Sequence, residues 1–208
     1  MAAAATTRLW FVRHGEAEHN PFIVLGKQNG DEVALRRGRS ILDPGLTGKG
    51  RSQALELRAQ LESSGARFDL LVTTPLSRAI ETSHMAFDGL VHKFLCTPEL
   101  TETAQEHLGG PQRGLSLEEM QKKYSFLGSW DLSHIHEGEN WVLGDASVLG
   151  GAGYFNPRPV EERLDGLKAW LQALPESRVV VVGHSGVFDR LLGMQMQNCQ
   201  LVEHDLSS

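Results

Sequence analysis

Apolar positions along this chain fall into two patterns that alternate. The first is the short unbroken run: Leu9-Trp10-Phe11-Val12, Phe68-Asp69-Leu70-Leu71-Val72-Thr73-Thr74, Lys93-Phe94-Leu95-Cys96 and Arg178-Val179-Val180-Val181-Val182-Gly183. Runs of this length, rich in β-branched and aromatic residues and closed by turn residues, predict buried strands. Cys199-Gln200-Leu201-Val202 is a shorter, edge-like version. The second is the helical stripe. Thr47 is placed to cap a helix that presents Ala54, Leu57 and Leu61 and runs to about Ser63. A helix is predicted from Pro75 to His84, proline suiting its first turn. Ser116 and Glu119 form a capping-box pattern that opens a short helix to about Tyr124. Val160, Leu164, Leu167 and Leu171 mark a helix over 159–174, and Val187, Leu191 and Met194 one over 186–194. Strands alternating with helices predict an α/β fold with a parallel sheet and right-handed crossovers.

Two stretches lack a period. Residues 21–46 are irregular, and within them 26–39 reads as a mobile loop, with Arg36, Arg37 and Arg39 as a solvated charge run. Residues 125–154 are glycine-rich, with Trp130 and Trp141 scattered through them, and read as an insertion. The expected organisation is one domain over 1–208, with a disordered leader at 1–7 and an insertion or lid over the site at 103–155.

Composition narrows the function. Among 208 residues the net charge is −6, with none of the basic footprint of a nucleic-acid binder. Any anion site must therefore gather its cations locally. Two cysteines, Cys96 and Cys199, make neither a disulfide framework nor a metal motif, and buried free thiols are expected. The N-terminus lacks a secretory signal, and no apolar run reaches membrane-spanning length. A cytoplasmic protein with no membrane or nucleic-acid partner is expected; the oligomeric state is left open.

The chemistry gathers at strand ends. Arg13 and His14 close the first run, and Gly15 lets the backbone turn. Gly183-His184-Ser185-Gly186 closes the last. Arg78 stands in the first turn of a helix, against the dipole, which points to a bound anion. Guanidiniums recognise phosphoryl oxygens bidentately, and histidine forms covalent intermediates. The backbone N–H groups of Ser185 and Gly186, at a helix start, add to such a site. This set supplies positioning and charge for phosphoryl transfer with no metal and no cofactor. Three other classes fit the sequence less well. A serine esterase needs a glycine where Val187 stands, and only His204 follows Ser185. His134, His136 and Glu137 could form a metal cluster only on a strand that no pattern supports. A binding module without turnover keeps the pocket but has no use for a proton donor.

Four stretches, Val12-Arg13-His14-Gly15-Glu16, 43–50 (Asp-Pro-Gly-Leu-Thr-Gly-Lys-Gly), 74–82 (Thr-Pro-Leu-Ser-Arg-Ala-Ile-Glu-Thr) and Val182-Gly183-His184-Ser185-Gly186, occur in an order that resembles the histidine phosphatase superfamily of phosphoglycerate-mutase-like proteins. The resemblance implies a three-layer α/β/α architecture with a mostly parallel central sheet. It implies that His14 is the nucleophile that becomes phosphohistidine, and that Arg13, Arg78 and His184 hold the phosphoryl group. It places a proton donor after the third strand, where Glu102 stands, with Glu99 and Glu106 as competing assignments. Asn20 matches a phosphate-contacting asparagine of part of the family. Thr101 replaces an arginine common before the acid, which puts the local substrate contacts in question. The expected activity is hydrolysis of small phosphorylated metabolites, with mutase-type transfer as the alternative.

Overall fold

The computed structural model describes residues 7–103, 112–144 and 152–206. Its strands are β1 Arg8–Arg13, β2 Phe68–Thr73, β3 Val91–Cys96, β4 Val142–Gly144, β5 Gly153–Phe155, β6 Arg178–Gly183 and β7 Leu201–Glu203. Its helices are α1 Asn20–Asn29, α2 Glu32–Ser40, α3 Gly48–Ser63, α4 Ser77–Phe87, α5 Leu117–Lys123, α6 Val160–Gln172 and α7 Ser185–Leu192. Five strands form one sheet in the order β3-β2-β6-β1-β7. β1, β2, β3 and β6 run parallel, with Arg13 opposite Gly183, and β7 joins β1 antiparallel.

Strand side chains alternate between two faces, so each run feeds two cores. Leu9, Phe11, Leu70, Val72, Val179 and Val181 pack against the α6 stripe and against Val187 and Phe188 of α7. Trp10, Val12, Leu71, Val180 and Val182 pack against Ala54, Leu57 and Leu61 of α3 and Ala79, Ile80 and Phe87 of α4. The sheet is thus sandwiched between helices, as the alternation of elements requires.

Several boundaries differ from expectation. Residues 26–39 are not a loop but lie in two helices. Pro21 starts α1, Gly30 at φ 65° ends it, and Asp31 caps α2 by accepting from the amides of Val33 and Ala34. Arg36 and Arg37 are exposed, and Arg37 lies over the Phe22 ring at 4.4 Å. α4 begins at Ser77 rather than Pro75, because the buried Asp43 carboxylate accepts from the Ser77 amide at 2.9 Å and its hydroxyl at 2.6 Å. α7 begins at Ser185 and stops before Gly193, at φ 64°. Thr7 is tied down, donating to Leu174 O at 2.9 Å. Cys96 is buried and Cys199 half-buried, both free.

The glycine-rich stretch contributes to the core. Leu127, Trp130, Ile135 and Trp141 are buried on the α3–α4 side. Trp130 stacks on Phe94 with centroids 4.6 Å apart. Asp131 extends the sheet edge, donating to Phe94 O and accepting from Cys96 N. The parts of the expected lid at 104–111, with Glu106, and at 145–151 lie outside the described residues, as does the leader at 1–6. No helix among the described residues is long and apolar enough to cross a membrane.

Candidate active site

The carboxyl ends of β1 and β6 lie side by side, and His14 N donates to Gly183 O at 3.0 Å. This pairing delivers His14 and His184 to one edge, with ring centroids 5.1 Å apart. Open α/β sheets bind ligands at that edge. β2 leads there as well, so Arg78 in the first turn of α4 joins them, and β3 leads to Glu102 through a 3-10 turn at Pro98–Leu100.

The hydrogen of each imidazole can be assigned from its partners. His14 Nδ1 lies 2.7 Å from Gly15 O. A carbonyl only accepts, so Nδ1 carries the proton and Nε2 keeps its lone pair. The ring is buried, and burial followed by the Arg78 guanidinium holds it well below the ordinary imidazole range. His14 therefore presents a neutral ring whose Nε2 lone pair is held in one orientation. His184 is fully buried, and neither ring nitrogen has a hydrogen-bond partner among the described residues. Burial, then Arg78 and His14, keep it neutral too. Arg78 is 1% exposed, and burial lowers it to about 10, which leaves it cationic at neutral pH. The charge of the pocket thus rests on guanidiniums, with neutral imidazoles between them.

The backbone around His14 is braced from two sides. Thr82 Oγ1 accepts from Gly15 N at 3.0 Å and donates to Arg78 O at 2.7 Å, linking the His14 turn to the helix of Arg78. From the turn before β7, Asn198 Nδ2 donates to His14 O at 2.7 Å and Cys199 N to Arg13 O at 2.8 Å. Arg13 Nη1 donates to Met196 O at 2.9 Å. Nothing in the sequence pattern marks Asn198, since its partner is distant in the chain; Thr82, one helical turn after Arg78, carried the better signal.

Glu102 lies at the start of α7. Its Oε1 accepts from Thr103 N at 2.8 Å, and its Oε2 is 3.5 Å from Gly186 N. A Cβ on Gly186 would fall 2.4 Å from Glu102 Oε1, so any other residue there would push the carboxylate aside. Glu102 is also the negative charge that most offsets the lowering of Arg13 and Arg78 by burial. Of its rivals, Glu99 is paired with Arg158 at 2.9 Å. Asn20 turns its amide inward: Oδ1 accepts from Ala17 N at 2.9 Å, and Nδ2 lies 3.1 Å from His19 Nε2. The amide nitrogen only donates, so His19 carries its proton on Nδ1. His19 was not singled out by sequence, yet its ring is 6.4 Å from that of His14, and burial beside Arg78 pushes it down to about 3.

The rival chemistries do not assemble. His204 N donates to Leu9 O, at the opposite end of β1 from Ser185. His134 packs against Trp170, Glu137 accepts from Leu117 N, and no group of three ligating side chains forms among the described residues.

Comparison with known proteins identifies the family and the fold. The Schizosaccharomyces pombe protein named "Probable phosphatase SPAC513.02" is 33% identical over 83 residues, which cover 40% of this chain and 33% of that protein. The match therefore spans about a third of that relative's length. Solved structures of a candidate alpha-ribazole-5'-P phosphatase from Escherichia coli K-12 and of alpha-ribazole phosphatase from Shigella flexneri share the fold. Their TM-scores are 0.56 and 0.55 at 21% and 20% identity, each covering 96% of this chain and 90% of the other. The family model of the histidine phosphatase superfamily, branch 1, matches residues 9–207. With the family match running almost end to end over a mostly parallel sheet that brings His14 and His184 together, the chain belongs to the histidine phosphatase superfamily.

Proposed function

We propose that this protein is a phosphatase that hydrolyses small phosphomonoesters through a phosphohistidine on Nε2 of His14, using no metal. The observation that carries this reading is the His14 tautomer: a neutral ring, pinned through Nδ1 to Gly15 O, with its free nitrogen beside His184. In the first step Nε2 attacks phosphorus as the bond to the leaving oxygen breaks. Glu102 gives that oxygen its proton, and the alcohol departs. In the second step the Glu102 carboxylate takes a proton from water, whose oxygen attacks phosphorus. The P–N bond breaks and inorganic phosphate leaves. Arg13 and Arg78 balance the charge on the non-bridging oxygens, and His184 hydrogen-bonds one of them. Ser185 N–H adds a donor at the start of α7.

The test is covalent trapping. Incubation with a 32P-labelled aryl phosphate followed by rapid denaturation should leave acid-labile, base-stable label on the wild type and none on His14→Ala. Label surviving in His14→Ala would overturn the assignment. A panel of phosphorylated metabolites that includes 3-phosphoglycerate with its bisphosphate primer separates hydrolysis from mutase-type transfer.

A further inference from the structure

The loop that carries Glu102 is held from beneath by a helix whose sequence pattern advertises only packing. Arg163 of α6 is 2% exposed. Its Nη1 donates to Glu99 O at 2.8 Å and Thr101 O at 2.6 Å, with Thr101 Oγ1 at 3.4 Å. Neighbouring residues add to the hold. Asn156 Nδ2 donates to Pro98 O at 2.8 Å, and Arg158 pairs with Glu99. Within the turn, the Thr101 hydroxyl donates to Pro98 O. The carbonyls of Pro98, Glu99 and Thr101 are therefore all engaged, and the next residue is Glu102.

A buried guanidinium is an expensive way to join a helix to a loop. Desolvating a cation opposes folding, and an apolar side chain of similar size packs as well or better. None of the ion pairs among the described residues includes Arg163. Its direct partners are neutral carbonyls, and burial lowers it to about 10. What the guanidinium supplies that leucine or methionine does not is direction. Thr101 O and Glu102 N belong to one planar peptide unit, so fixing the carbonyl fixes the plane from which the Glu102 side chain departs. That departure leads to Gly186 N at the start of α7, beside His184. Arg163 is also close enough to His184 to contribute to holding it neutral.

We propose that Arg163 is a positioning residue that aims the Glu102 carboxyl at the leaving oxygen by clamping the carbonyls on its N-terminal side. This rests on Glu102 being the proton donor, and the experiment separates the two. Arg163→Met keeps the aliphatic stem and removes the donors; Arg163→Lys keeps the charge and N–H donors, but its side chain is one atom shorter and its nitrogen falls short of the Nη1 position that reaches both carbonyls. Each is assayed with 4-nitrophenyl phosphate, whose leaving group needs little help, and with an unactivated alkyl phosphate, whose leaving group needs a proton. Arg163→Met should lower kcat for the alkyl ester by about 10²-fold, the scale of a small misplacement of a reacting group, and affect the nitrophenyl ester far less. KM should change little, and Arg163→Lys should fall between. In a Glu102→Gln background, Arg163→Met should add no further loss on the alkyl ester. Equal losses on both esters, or full additivity with Glu102→Gln, would overturn the positioning role while leaving a leaving-group-dependent Glu102→Gln intact. A Glu102→Gln variant with no leaving-group dependence would remove the donor itself, and the inference with it. Arg163→Lys and its leaving-group profile decide the matter if the methionine variant does not fold.

Discussion

Gly48 and Gly50 stand two residues apart at the start of α3, and the structure gives them opposite sensitivities. A Cβ on Gly48 meets nothing within 4 Å, whereas a Cβ on Gly50 would fall 2.0 Å from Glu16 O and 2.9 Å from Glu16 N. From the other side, a Cβ on Gly15 would fall 2.6 Å from Gly50 O. Carbon and oxygen approach no closer than about 3.3 Å even in favourable contacts, so alanine at 50 must displace the Glu16 peptide or α3 by more than about 1 Å. There is little slack to absorb this. Thr47 N donates to Glu16 O at 2.9 Å and Glu16 N to Gln53 Oε1 at 2.8 Å. Glu16 is two residues from His14, so the displacement reaches the His14 ring. The expected result for Gly50→Ala is a loss of about 10²-fold in kcat/KM from misplacement and about 1–3 kcal/mol of stability from overpacking. Gly48→Ala should keep full activity and gain about 0.5–1 kcal/mol from reduced chain entropy. The assay is turnover of 4-nitrophenyl phosphate together with urea melts of both variants. Equal activity and equal melting of the two alanine variants would refute the reasoning.

Two further predictions follow from the same geometry. Thr82→Val keeps the shape but strips the acceptor from Gly15 N–H, leaving a buried donor unpaired; it should cost about 1–3 kcal/mol and lower kcat, while Thr82→Ser restores both, and a neutral Thr82→Val would contradict the brace. His14, His19 and His184 are held neutral when folded but titrate near 6.5 when unfolded. The unfolded chain therefore binds more protons below about pH 6.5, so the stability these rings contribute is present above that pH and is lost as pH falls toward their folded values. Each ring adds about 1.4 kcal/mol per pH unit to that slope. His19→Asn should remove one ring's share, and an unchanged slope between roughly pH 6 and 4 would show that His19 is not held neutral in the folded state.

The fold was legible wherever one residue pattern decided one element. The valines of β6, the aromatic run of β1 and the Val160–Leu171 stripe report burial directly, and Thr47 and Ser116 cap as their sequence context requires. The α1–α2 pair was missed because its arginines and glycines read as loop, while its start and stop signals, Pro21, Gly30 and Asp31, are individually common. Trp130 and Trp141 were missed for another reason: their burial follows no local period and depends on the sheet edge they cover. The site divides the same way. His14 and His184 are strand-end residues and could be read from two runs. Asn198, His19 and Arg163 act through neighbours distant in sequence or through a side chain turned inward, and only the tertiary arrangement shows them.

The two partners of β1 are β6 and β7, both formed by residues beyond 177. During synthesis, then, the Leu9–Val12 segment has neither neighbouring strand to pair with until residues 178–203 have been translated. A sticky apolar ribbon left waiting that long is exposed to self-association. Nascent chains halted before residue 178 should accordingly need a holdase to stay in solution, and the enzyme's yield in a heterologous host should track chaperone supply more closely than codon choice.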